Sequence, residues 1–170
     1  MAEAAVNMEQ DRRHQTQKAG KYLTFSLDRE EYGIAIHKVK EIIGMMPVTT
    51  VPQLPDFVKG VVNLRGRVIP VTDLRLKFGM PSTEVTERTC IIVVEIRMDG
   101  GVILMGLVVD SVSEVLNIKG EDVQETPDFG ASLSTEYILG MARIEGGVKI
   151  LLDIDRVLTT QELSFIQESA

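Results

Sequence analysis

The sequence predicts a mainly β fold of two small barrel-like subdomains. Three observations carry this: a two-residue apolar period beginning at Lys21, paired strand signals around glycine-containing turns, and an internal repeat in the second half.

Residues 1 to about 20 are polar without a sustained period and read as a mobile tail. KYLTFSLD then alternates, with Leu23, Phe25 and Leu27 on one face and Tyr22, Thr24 and Ser26 on the other, the pattern of a half-buried strand. DREE turns the chain into EYGIAI. After the proline-interrupted VPQLPDFVKG, the segments GVVNL and RVIPVTD predict a hairpin around Arg65-Gly66, followed by a short helix over DLRLKFG. MPSTEVTERT is a polar connector. TCIIVVEI and GVILMGLVVD flank MDGG, whose Asp-Gly step suits a type I′ turn.

The pattern then restarts. VKEII at 39–43 corresponds to VSEVL at 112–116, and GVVNLRGRVIPVTDLR at 60–75 to GMARIEGGVKILLDID at 140–155. The second pair is spaced about seven residues more widely, which places a longer loop in EDVQETPDFGASLST. Gly60/Gly140, Gly66/Gly146, Val68/Val148 and Asp73/Asp153 match between copies. Tight turns explain the glycines, and helix capping explains Asp73 and Asp153 better than acid chemistry does.

Positions that differ between the copies are more informative. Arg65 is opposed by Glu145 and Asn63 by Arg143. An arginine offers a planar fork of donors, so Arg65 is either an anchor for a partner's carboxylate or carbonyls or a solvated turn residue. CIIVV and VILMGLVV are almost continuously apolar, so both faces need cover. One face is expected to fill the second barrel and the other to pack between subdomains or, as the alternative, against another protein. Met45, Met46, Met80, Met105 and Met141 either fill cores or offer adaptable contact surface.

Composition narrows the function classes. At 170 residues and 44% hydrophobic content, the chain buries a core without a staple. Cys90, the single cysteine, rules out an intrachain disulfide and reads as a buried small hydrophobe within TCIIVV. With only His14 and His37 besides, a zinc site is not expected. The N-terminal residues resemble neither a signal peptide nor a membrane span. A net charge of −7, with no basic cluster beyond Arg12 and Arg13, argues against nucleic acid or anionic lipid as principal partner. Three Tyr, five Phe and no Trp give few platforms for stacked bases. GxGxxG, GxxxxGK[ST] and GxSxG sequences are absent. His37, near Glu41, reads as a surface histidine.

EEYGIAIHKVKEII, FVKGVVNLRGRVIPVTDLRLKFG, GLVVDSVSEVL and LSTEYILGMARIEGGVKILLDIDRVL resemble, in order, the signature regions of the CheW family of chemotaxis coupling proteins, spanning nearly everything from Lys21 to Leu158. The resemblance implies two SH3-like five-stranded β-barrel subdomains with short helices. They intertwine over 21–158, with repeat segments about 21–88 and 89–158. A flexible tail at 1–20 and a C-terminal tail or short helix at 159–170 flank them. It also implies a non-catalytic adaptor without cofactor or metal, which couples the cytoplasmic signalling tip of methyl-accepting chemoreceptors to the regulatory domain of the histidine kinase CheA. Such a protein is cytoplasmic and recruited to membrane-associated receptor arrays, with no nucleic acid and no membrane insertion. CheW-type domains also occur within CheA and CheV. The few residues outside the resemblance are too short for a kinase or receiver domain, so a stand-alone adaptor is expected.

Carried over by position, the receptor-contact residues are Val39, Glu41, Gly60, Arg65, Gly106, Val112 and Val115. Cys90 departs from the aliphatic residue usual at its place. Kinase contact is expected at barrel ends, including the second subdomain's apolar strands, without individual residues being selected.

Overall fold

The computed structural model describes residues 18–98, 100–126, 136–158 and 162. Most of the predicted N-terminal tail, most of the predicted longer loop, Asp99 of the predicted Asp-Gly turn and most of 159–170 lie outside the described residues.

The strands are β1 (Gly20–Leu27), β2 (Glu30–Ala35), β3 (Val39–Gly44), β4 (Val58–Leu64), β5 (Arg67–Asp73), β6 (Cys90–Met98), β7 (Gly101–Val109), β8 (Ser111–Ile118), β9 (Val123–Gln124), β10 (Ile138–Ile144) and β11 (Gly147–Leu152). One helical turn, α1 (Leu74–Lys77), follows β5, where helix was predicted. Asp73 caps it, accepting from the backbone N–H groups of Arg75 and Leu76 at 2.9 and 3.4 Å. The structural reading of this aspartate therefore holds.

Two sheets result, ordered β3-β6-β7-β5-β4 and β8-β1-β2-β11-β10-β9. Each contains one parallel pair at the same place, β5 with β7 and β11 with β2. Matched through the repeat, β3, β4 and β5 correspond to β8, β10 and β11, so each sheet takes its remaining hairpin from the other copy. The apolar strands β6 and β7 thus lie with β3, β4 and β5, and do not fill the barrel of the second half as the sequence suggested. Alternation within one strand specifies which residues share a face; it does not specify which strand lies alongside.

Both sheets curl shut. β3 and β4 are opposite edges of the five-stranded sheet, yet Thr49, beyond β3, exchanges two 2.8 Å backbone bonds with Val61 of β4. β9, beyond β8, pairs with Met141 and Ala142 of β10 in the same manner. Curling the edges towards each other leaves fewer of the unpaired groups that make open sheets sticky.

Three apolar clusters lie among the described residues. Val62, Ile69, Val71, Ile91, Val93 and Val108 form the interior of the five-stranded barrel. Tyr22, Ile118, Val123, Ala142 and Leu151 form that of its partner. The largest cluster joins the two, drawing Phe25, Leu27 and Ile34 from one sheet and Ile92, Val94, Ile96, Met105 and Leu107 from the other. On β6, residues 91 and 93 therefore face one core and 92, 94 and 96 the other, which explains its uninterrupted hydrophobicity.

The same geometry corrects the expectation for β1. Its outer face was predicted polar and half-exposed, but Tyr22 and Thr24 are buried because β1 lies inside its sheet between β8 and β2. The Thr24 hydroxyl is satisfied at the bulge, donating to the Glu114 carbonyl at 2.8 Å and accepting from its N–H at 3.1 Å.

Candidate functional site

The predicted contact residues fall into two groups, those at the surface and those that shape the barrel beneath. Arg65 and Gly66 form the two-residue β4–β5 turn, with φ of 52° and 85°. Both signs suit a right-twisting hairpin, and Asn63 Oδ1 closes the turn by accepting from the Gly66 N–H at 2.9 Å. The Arg65 side chain is 74% exposed. Its Nη1 and Nη2 donate to Oε1 and Oε2 of Glu41, each at 2.8 Å. The planar fork is thus already engaged within the chain, across the seam where the barrel closes. The Arg65 guanidinium holds the Glu41 carboxyl below its ordinary range, and Glu41 in turn raises Arg65.

Val39 shares β3 with Glu41, pairs with Val94 and packs against the central core. Gly60 and Gly106 are buried. Gly60 has φ of 143°, and a Cβ there would lie 2.0 Å from the Thr49 carbonyl oxygen. Only glycine allows the strap containing Thr49 to close on β4. A Cβ on Gly106 would lie 2.7 Å from Ile91 Cγ2, so it keeps the barrel interior narrow.

Val112 and Val115 lie on β8 in the other sheet. Val112 is half-buried against the central core and Val115 is 49% exposed. Cys90 connects this strand to β3, since it pairs with Gly44 and its thiol lies beside the backbone of Val112. Burial pushes the Cys90 thiol up, opposed by a hydrogen bond with the Val112 backbone. Val39, Cys90 and Val112 pack on one core and mark the junction between the barrels.

Sequence reasoning overlooked a symmetry of exposure. Ile42 and Val115 occupy equivalent repeat positions and are 45% and 49% exposed; Val68 and Val148 are likewise equivalent, at 62% and 49%. These two apolar positions are thus uncovered on both barrels, and the five-stranded one also exposes Val102 of β7, at 54%. The Val68/Val148 match was legible in the sequence, but it carried no sign that these valines point outward. His37 is exposed, as read. Among the described residues no group of three His, Cys, Asp or Glu is placed to hold a metal ion. No helix among them is long and apolar enough to cross a membrane.

Comparison with known proteins agrees with this architecture. Residues 21–162 match the family model of the CheW-like domain. The chain is 40% identical over 149 residues to the chemotaxis protein CheW of Klebsiella aerogenes, covering 88% of this chain and 87% of that protein. It is 34% identical over 150 residues to the chemotaxis protein CheW of Rhizobium meliloti, covering 88% and 94%. The crystal structure of the scaffolding protein TtCheW from Thermoanaerobacter tengcongensis superposes with a TM-score of 0.74 at 32% identity, over 85% of this chain and 95% of that one. With its two closed, hairpin-exchanged barrels and these relatives, the chain belongs to the CheW family.

Proposed function

We propose that this chain is a non-catalytic chemotaxis adaptor. It couples the cytoplasmic signalling tip of methyl-accepting chemoreceptors to the regulatory domain of the histidine kinase CheA. It works in the cytoplasm and is recruited to membrane-associated receptor arrays. The observation that carries the reading is apolar exposure on both barrels at equivalent repeat positions, Ile42 and Val68 on one and Val115 and Val148 on the other. A molecule with two surfaces of one kind is suited to holding two partners together, and doing so raises their effective concentration without any chemical step. A receptor's conformational change then biases the kinase through differential contacts.

Within this reading the receptor side is the junction bearing Val39, Glu41, Arg65, Val112 and Val115. Gly60 and Gly106 act from beneath by fixing the backbone. Pull-down of the purified chain against the CheA regulatory domain and a receptor signalling tip, separately and together, tests the proposal. Binding to each alone and a ternary complex with both is expected. Capture of neither removes it.

A further inference from the structure

We propose that the two barrels move as one rigid body, held by a joint made of Phe78, Asp110 and Asp155; its meaning for signalling rests on the adaptor reading above. The chain passes between the sheets twice, from β2 to β3 and from β7 to β8. A hinge between the barrels would have to absorb its backbone rotation at these two crossings. An aspartate pins each of them.

At the first crossing, Lys38 forms a 2.7 Å ion pair with Asp155 Oδ2, with the two side chains 19% and 29% exposed. The other oxygen of Asp155 accepts from the Arg97 N–H of β6 at 2.8 Å. One carboxylate, from the segment after β11, thus grips both the crossing and a strand of the opposite sheet. At the second crossing the aspartate belongs to the crossing itself. Asp110 Oδ2 accepts from Arg75 Nη1 at 2.6 Å and from the Asp28 N–H at 2.7 Å, while the Asp110 N–H donates to the Ser26 carbonyl at 3.1 Å. Arg75 comes from α1 beside the five-stranded sheet; Asp28 and Ser26 belong to the β1–β2 hairpin of the other. Charge-assisted bonds of this length are directional and shorter than neutral ones.

The rings of Phe25, Tyr32, Phe78 and Tyr137 stack in a column. Successive centroids lie 5.8, 5.9 and 4.9 Å apart, with interplanar angles of 18°, 25° and 14°. Phe25 and Tyr32 come from β1 and β2 and Tyr137 from just before β10, all of one sheet. Phe78 follows α1 of the other and is intercalated between Tyr32 and Tyr137. Opening the barrels would require its withdrawal from between two rings, in a core packed too closely to deform gradually. A displacement imposed by a receptor at one face is therefore passed on as reorientation of the whole adaptor.

Spin labels at Val102→Cys on β7 and Asn117→Cys on β8, in a Cys90→Ser background, report the inter-barrel distance by pulsed electron–electron double resonance. The free chain is expected to give one narrow distance, unchanged at saturation with receptor tip or kinase regulatory domain, each binding followed separately by titration. A second distance in the free chain, or a shift on binding either partner, overturns the proposal. A chain that binds neither partner refutes the adaptor reading, while the free-chain distance still decides on the joint. Phe78→Leu and Asp155→Asn, confirmed folded by circular dichroism, are expected to broaden the distribution. Native width in both folded variants overturns the assignment of the joint to these residues.

Discussion

Arg65 grips both carboxylate oxygens of Glu41 at 2.8 Å, joining the β4–β5 turn to β3, a strand at the opposite edge of the same sheet. The arginine singled out by its charge-reversed repeat partner is thus one half of an internal pair across the barrel seam. Arg65→Glu places two carboxylates together, and receptor affinity is expected to fall roughly tenfold or more with kinase binding unchanged. The exchanged double variant, Arg65→Glu with Glu41→Arg, is expected to recover most of that loss. Titration of each variant with receptor tip and kinase domain checks this; weak binding persisting in the exchange would mean that the receptor reads Arg65 itself.

The same pair has a pH signature. Because Arg65 lowers the folded-state pKa of Glu41, the contribution is present above the unfolded carboxylate pKa and is lost as pH falls through the lower, folded one. Wild type is therefore expected to melt above Glu41→Gln at neutral pH, with the two converging in acid. Melting curves across an acid series read this directly, and a constant difference would contradict it.

Gly60→Ala and Gly106→Ala separate backbone need from side-chain crowding. An added Cβ at 60 meets the fixed Thr49 carbonyl in a left-handed conformation, and a loss of about 2 kcal/mol or more is expected. At 106 the nearest atoms are the movable Ile91 and Val71 methyls, so the expected cost is smaller, about 1–2 kcal/mol. Urea unfolding of both variants tests the order.

Asp73→Ala removes the cap on α1 and the 3.7 Å pairing with Lys59, with an expected cost of about 1–2 kcal/mol. Asp73→Asn keeps an acceptor oxygen and is expected to lose less. Equal loss in both variants, measured by denaturant midpoint, would reject the capping role.

Much of this was legible from residues alone. The two-residue period of KYLTFSLD, the Arg65-Gly66 turn and the helix-starting Asp73 depend on local geometry, which the sequence encodes within a few positions. The repeat announced two like units, and the charge reversal at 65 and 145 drew attention to Arg65.

What the chain by itself determined was therefore the type of most elements, the duplication and the family; β9 (Val123–Gln124) instead falls in the segment read as a loop. Tertiary structure alone decided which hairpins the intertwined copies exchange, that Tyr22 and Thr24 are covered, and that Arg65 already holds Glu41. The physical reason is range. Turn and strand preferences act between neighbours along the chain, whereas burial and ion pairing at these sites depend on strands brought together from distant segments. Glu41 and Arg65 meet only because the sheet curls until its two edges touch.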